Sequence, residues 1–183
     1  MKTYVLTAVA LLALASSAFA STIRVYDESI DGDASNWRAS ATELGMIGAG
    51  ETVTVIGSVD EAANDKTDFY AFSVAIGYTV SLSDIFVSAG TTGWRLFRDD
   101  GVFNWRGDRL ASVDVSGVQN DLFGSVAAGS YFIRVVEKDE DVSANYTFNI
   151  EANSLPPVPL PAGLSLLIGG IGALAFLRRR KSA

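Results

Sequence analysis

The sequence predicts an all-β protein, a single jelly-roll-like β-sandwich flanked by an N-terminal signal peptide and a C-terminal transmembrane helix. Three observations predict it. From Glu51 onward, apolar and polar residues alternate with a period of two in short runs. Turn-forming clusters such as Ile76-Gly77, Asp99-Asp100-Gly101, Arg106-Gly107-Asp108 and Ala128-Gly129-Ser130 separate these runs. No window between Ala49 and the C-terminal tail carries a helical apolar stripe.

Taken in chain order, residues 1–20 combine Lys2, an apolar stretch from Val5 to Ala15 and a small-x-small ending, the pattern of a secretory signal peptide. Ala18, Ala20 and Ser21 form the expected signal peptidase site. Residues 21–49 are read as an N-terminal extension with an acidic turn, and residues 50–152 as the sandwich domain. The predicted strands are Thr52 to Ser58, Asp68 to Val74, Tyr78 to Ser83, Trp94 to Arg98, Leu110 to Val115, Ser130 to Glu137 and Tyr146 to Glu151. Their expected core face is Val53, Val55, Tyr70, Phe72, Val74, Val80, Leu82, Leu96, Ile133, Val135, Tyr146, Phe148 and Ile150. Each such side chain contributes roughly 1.5–3 kcal/mol when buried, which offsets much of the ordering entropy.

Residues 153–161 form a proline-rich linker that holds every proline of the chain and fits neither a central strand nor a helix interior. Residues 162–177 are uncharged. As a helix they reach roughly 24 Å, short of a ~30 Å bilayer core unless flanking residues or snorkelling arginines extend them. Residues 178–183 begin with Arg178, Arg179, Arg180 and Lys181, which hold the C-terminus in the cytoplasm and leave the domain outside.

Composition removes whole classes of function. Between Ser21 and Leu155, nine Lys and Arg face 21 Asp and Glu, a net charge of −12. That field repels phosphates, so no nucleic-acid partner is expected. The chain has no cysteine and no histidine, which excludes thiol nucleophiles, histidine triads and histidine-ligated zinc. A fold exported without disulfides relies on its packed core.

Val158-Pro159-Leu160-Pro161-Ala162, followed by an apolar run with Gly169, Gly170 and Gly172 and then the arginine cluster, resembles the bacterial PEP-CTERM sorting signal in its VPLPA variant. The resemblance implies a substrate of an exosortase, a membrane-embedded cysteine protease-transpeptidase of Gram-negative bacteria that make extracellular polysaccharide. The chain would sit transiently in the inner membrane and then reach the envelope, outer surface or medium. The extended proline segment at the membrane face would present backbone to that protease, whose nucleophile is supplied in trans.

A second resemblance covers roughly Gly50 to Glu151. Asp68-Phe69-Tyr70-Ala71-Phe72-Ser73-Val74, Trp94-Arg95-Leu96-Phe97-Arg98-Asp99-Asp100-Gly101, Ala128-Gly129-Ser130-Tyr131-Phe132-Ile133-Arg134-Val135 and Asn145-Tyr146-Thr147-Phe148 are similar to the pre-peptidase C-terminal domain. That family is a non-catalytic β-sandwich often appended to secreted peptidases.

Candidate sites are few. Asp27, Glu28, Asp31 and Asp33 place four carboxylates in seven residues around Gly32, an oxygen-rich turn of the kind that holds calcium or is simply solvated. Asp65 and Asp68 stand where they add ligands or cap a turn. All three tryptophans precede an arginine, at Trp37-Arg38, Trp94-Arg95 and Trp105-Arg106. In strands this reads as Trp in and Arg out, whereas an exposed Trp would offer a stacking face to exopolysaccharide, with Trp105 the expected one. Arg106-Gly107-Asp108 is read as a turn and Asn145-Tyr146-Thr147 as strand.

The expectation is therefore a non-catalytic exported protein with a binding or structural sandwich, sorted to the envelope or polysaccharide matrix. The alternatives are a permanent single-span anchor bearing a calcium- or carbohydrate-binding sandwich, and a hydrolase, such as a glycosidase, that works with carboxylates alone.

Overall fold

In a computed structural model, residues 21–60, 63–99, 101, 109–139 and 142–155 are described. Over these residues the period-two alternation becomes eight strands: β1 (Thr22–Asp27), β2 (Thr42–Ile47), β3 (Glu51–Val59), β4 (Thr67–Val74), β5 (Tyr78–Arg98), β6 (Arg109–Gln119), β7 (Gly129–Glu137) and β8 (Ala144–Ser154). A single-turn helix, α1 (Glu28–Asp31), follows β1, and a 3-10 turn (Arg38–Ser40) precedes β2.

All eight strands belong to one sheet, ordered β1-β3-β8-β5-β7-β4-β2, with β6 added to β5. The outermost pairs, β1 with β3 and β2 with β4, are parallel; the rest are antiparallel. The expected sandwich is thus built from one continuous sheet that folds over on itself, and β5 is the reason. Its first half, to Val87, pairs with β8, whereas its second half, from Thr92, pairs with β7. Between them Gly90 takes a φ of 62°, a left-handed conformation in which other residues are strained, and the strand passes from one layer to the other.

Two predicted strands, 78–83 and 94–98, are therefore one strand of 21 residues. The register shift between Ser83 and Phe86, with Asp84 at φ 49°, moves the alternation by a residue and hides the continuity from a period-two reading. Residues 21–49, expected as an extension, supply β1 and β2 at the two ends of the sheet path.

The core lies between the layers. All thirteen residues of the expected core face are buried. Aromatic rings cross the gap edge-on: Tyr70 of β4 meets Phe148 of β8 at 5.7 Å between centroids, and Trp94 of β5 meets Tyr146 and Phe148 at 5.6 and 5.2 Å. Arg24 of β1 closes the open side. Its guanidinium donates to Leu44 O at 2.7 Å and Met46 O at 2.9 Å, tying one end strand to the other. Among the described residues no helix is long and apolar enough to cross a membrane. The expected signal peptide, linker and transmembrane helix lie outside the described residues, apart from Ser21 and residues 153–155.

Candidate functional site: a carboxylate and tyrosine cluster

The acidic turn separates into two pairs with different work. Asp27 caps α1, its Oδ1 accepting from Ser29 N at 2.9 Å and from Ser29 Oγ at 2.7 Å. Asp31 closes the same turn by accepting from Asp27 N at 2.9 Å. Gly32, at φ 99°, then reverses the chain, and the Tyr26 hydroxyl donates to its carbonyl. With Asp27 and Asp31 so used, the half-buried Glu28 and the exposed Asp33 are left beside Asp68.

Glu28, Asp33 and Asp68 each offer an oxygen, and the three oxygens lie within 4.8 Å of one another. A point central to the three lies no more than about 2.8 Å from each, close to the calcium–oxygen range of ~2.3–2.6 Å. Asp68 opens the inward half of β4 and is fully buried. Its Oδ1 has no hydrogen-bond partner among the described residues, nor does the buried Oδ1 of Asp65. Hard oxygen donors, a concentration of negative charge and orphaned buried carboxylate oxygens fit a divalent hard cation.

Two tyrosines complete the cluster. Glu28 Oε2 accepts from Ser58 N at 2.7 Å, and Glu28 Oε1 accepts from Tyr70 Oη at 2.7 Å. The Tyr70 and Tyr146 hydroxyl oxygens are 2.7 Å apart, and Tyr146 Oη is 2.6 Å from Asp68 Oδ2. The three contacts of the metal-free cluster need one proton more than the two hydroxyls supply, so either Asp68 or Glu28 carries it. If Asp68 is ionised, Tyr146 donates to it and Tyr70 donates to Glu28, which leaves no proton between the two tyrosine oxygens. If Asp68 is protonated, its hydroxyl donates to Tyr146, Tyr146 to Tyr70 and Tyr70 to Glu28, and each contact holds one proton.

The electrostatics place that proton on Asp68. Burial, then the charge of Glu28, pushes Asp68 up to about 9, against a lowering by its bond to Tyr146. Burial, then Asp33 and Glu28, raises Asp65 to about 6. Burial also raises Glu28, partly countered by Tyr70 and Ser58. Burial drives both tyrosines far above their ordinary range, so they stay neutral. A cation would replace the proton on Asp68.

Of the acidic residues singled out in the sequence, Glu28 and Asp33 thus join Asp68, while Asp27 and Asp31 are spent on the turn. Tyr70 and Tyr146 were legible only as core. Gly57 is a third participant that the sequence does not advertise: a Cβ there would stand 2.5 Å from Tyr146 Oη and 2.8 Å from Glu28 Oε1.

The tryptophans diverge. Trp94 is buried and donates through Nε1 to Thr92 Oγ1 at 2.7 Å, a packing role with Arg95 on the other face. Trp37 reverses the pattern, being 75% exposed while Arg38 is buried. Trp105, the Arg106-Gly107-Asp108 turn, Ala18, Ala20, the Val158 to Ala162 motif and Arg178 to Lys181 lie outside the described residues; Ser21 is exposed.

Neither a family model nor a curated protein matches the sequence. Among solved structures, the fold is similar to the pre-peptidase C-terminal domain of a collagenase from Bacillus anthracis, at 19% identity and a TM-score of 0.45, over 60% of this chain and 92% of that one. It is also similar to PliG, a periplasmic inhibitor of g-type lysozyme from Aeromonas hydrophila, at 12% identity and a TM-score of 0.36, over 73% of this chain and 100% of that one. A β-glucosidase from Paenibacillus barengoltzii matches at 14% identity and a TM-score of 0.32, over 70% of this chain but 13% of that one. At these scores the likenesses say nothing of ligand or activity.

Proposed function

We propose that this chain is an exported, non-catalytic module of the cell envelope or extracellular polysaccharide matrix, delivered by exosortase processing of its tail and held in shape by calcium at Glu28, Asp33 and Asp68. The observation that carries the domain's part is Asp68, fully buried with an oxygen that meets no donor among the described residues. An ion held there ties the segment after β1 to β4, so its work is structural. Delivery is supported by the residues of the two ends, the signal-peptide pattern and the ordered VPLPA motif, apolar run and arginine cluster.

The carboxylate-only hydrolase is disfavoured by the same burial. A glycosidase needs its acid where a glycosidic oxygen can reach it. Asp68, whose pKa is the most strongly raised among the described carboxyls, is fully buried with Tyr70 and Tyr146, and a sugar has no approach to it. The permanent anchor differs only in the fate of the tail.

Two measurements test the two halves. Calcium at a hundredfold excess over its Kd should raise the melting temperature by about 8 °C; no shift in millimolar calcium removes the cation. Intact mass of the protein from envelope and medium of its native host should lack everything beyond the 158–161 region. A mass that keeps residues 178–183 makes the tail an anchor.

A further inference from the structure

Beside the cluster, on the outer face of the β4-β7-β5 layer, lies an open pocket of about 320 Å³ lined by Asn36, Trp37, Arg38, Thr67, Phe69 and Arg134. Its composition is at odds with the rest of a strongly acidic domain. The Arg134 guanidinium lies 5.6 Å from the Phe69 ring centroid and donates to Thr67 Oγ1 at 3.3 Å. The Arg38 guanidinium stacks 4.6 Å over Phe132, with Nη2 3.7 Å from Asp99 Oδ1. Arg95 stands directly opposite Arg134 across the β5–β7 ladder. Like charges directly opposite one another destabilise a sheet, and burial, then the charge of Arg95, lowers the pKa of Arg134. Above this basic floor rises Trp37, its indole 75% exposed.

An exposed large aromatic at the rim of a cationic pocket has a specific chemical meaning. The indole face stacks on the apolar face of a pyranose ring, and planar guanidiniums take a carboxylate in paired hydrogen bonds. The volume is at the small end for a ligand pocket, room for one or two sugar units. Asn36 is engaged in holding the wall, its Oδ1 accepting from Thr67 N at 3.2 Å, so the floor is built and not left to solvent.

We infer that the Trp37–Arg38–Arg134 pocket binds a carboxylated sugar residue, a uronic acid unit of an acidic polysaccharide. The inference rests on the reading of the chain as an envelope or matrix module for where such a polymer is met; the binding itself is independent of tail processing and of calcium.

The test titrates the purified full chain with three probes: hexagalacturonate, the neutral cellohexaose and dextran sulfate, followed by calorimetry. Hexagalacturonate is expected to bind saturably, with the other two at least tenfold weaker. Trp37→Ala and Arg134→Gln should each weaken hexagalacturonate binding roughly tenfold, the loss of one stacking or charge-assisted contact. Because Trp37 is exposed, its variant keeps the fold and carries the test even if Arg134→Gln unfolds, which near-ultraviolet circular dichroism reports. Equal binding of cellohexaose, preference for dextran sulfate, no binding at all, or affinity unchanged in Trp37→Ala each overturns the inference. The mass and calcium measurements fail or succeed separately from it.

Discussion

Asp68 is fully buried, against the Tyr146 hydroxyl and beside Glu28. Its folded-state pKa, about 9, lies above its ordinary value of 3.8, so the folded state binds the extra proton between those limits. In the presence of a chelator, stability should therefore be greatest at acid pH and fall as pH rises from near 4 through about 9, with Asp65 adding to the fall up to about 6. Melting curves from pH 4 to 9, with and without calcium, check this: calcium should flatten the slope, because the ion takes the proton's place. Asp68→Asn keeps the shape without the charge. It should leave the calcium-free chain as stable or more so at pH 8 and abolish the calcium response, a pair of opposite effects that a merely structural residue would not show. The sequence makes Glu28 and Asp33 visible as part of an acidic run and Asp68 as a candidate beside it. It does not reveal Tyr70 and Tyr146, which read as core, because the proton chain joining them exists only when β4 and β8 face each other.

At the scale of elements, β3 makes room for the cluster. Gly57 faces Tyr146 across the β3–β8 ladder, and an added Cβ would overlap a buried hydroxyl that cannot swing away. Gly57→Ala should cost about 1–3 kcal/mol by overpacking and weaken calcium binding, read by denaturant melts and calcium titration. β5 is the other decisive element. Trp94→Ala should cost about 3–5 kcal/mol, since the indole packs on Tyr146 and Phe148 from the opposite layer and leaves a cavity at the centre of the core. Denaturant unfolding measures that loss. The alternation of β3, β4, β7 and β8 is plain in the sequence because each is a half-buried strand in regular register. That of β5 is interrupted at Asp84 and Gly90, where irregular backbone and not side-chain polarity sets the course.

For the whole molecule, the sheet nearly closes on itself, and Arg24 spans the gap between its two ends. Arg24→Ala removes two charge-assisted bonds to backbone carbonyls of β2 and should cost roughly 1–3 kcal/mol. Hydrogen exchange should report faster opening of β1 and β2 while β5, β7 and β8 stay protected; uniform acceleration would mean that the ends are not a separate unit. The sequence by itself determined the all-β class, the core face and the absence of thiol and imidazole chemistry, because alternation, turn residues and composition are local properties of the chain. Tertiary structure alone decided that one sheet forms both layers, that residues 21–49 supply its end strands, that Glu28 lies beside Asp68, and that Trp37 and Arg134 line one pocket. Those partners lie tens of residues apart, and only the long-range pairing of β1 with β3, the bridge of Ser35 to Phe69 and the pairing of β4 with β7 bring them together.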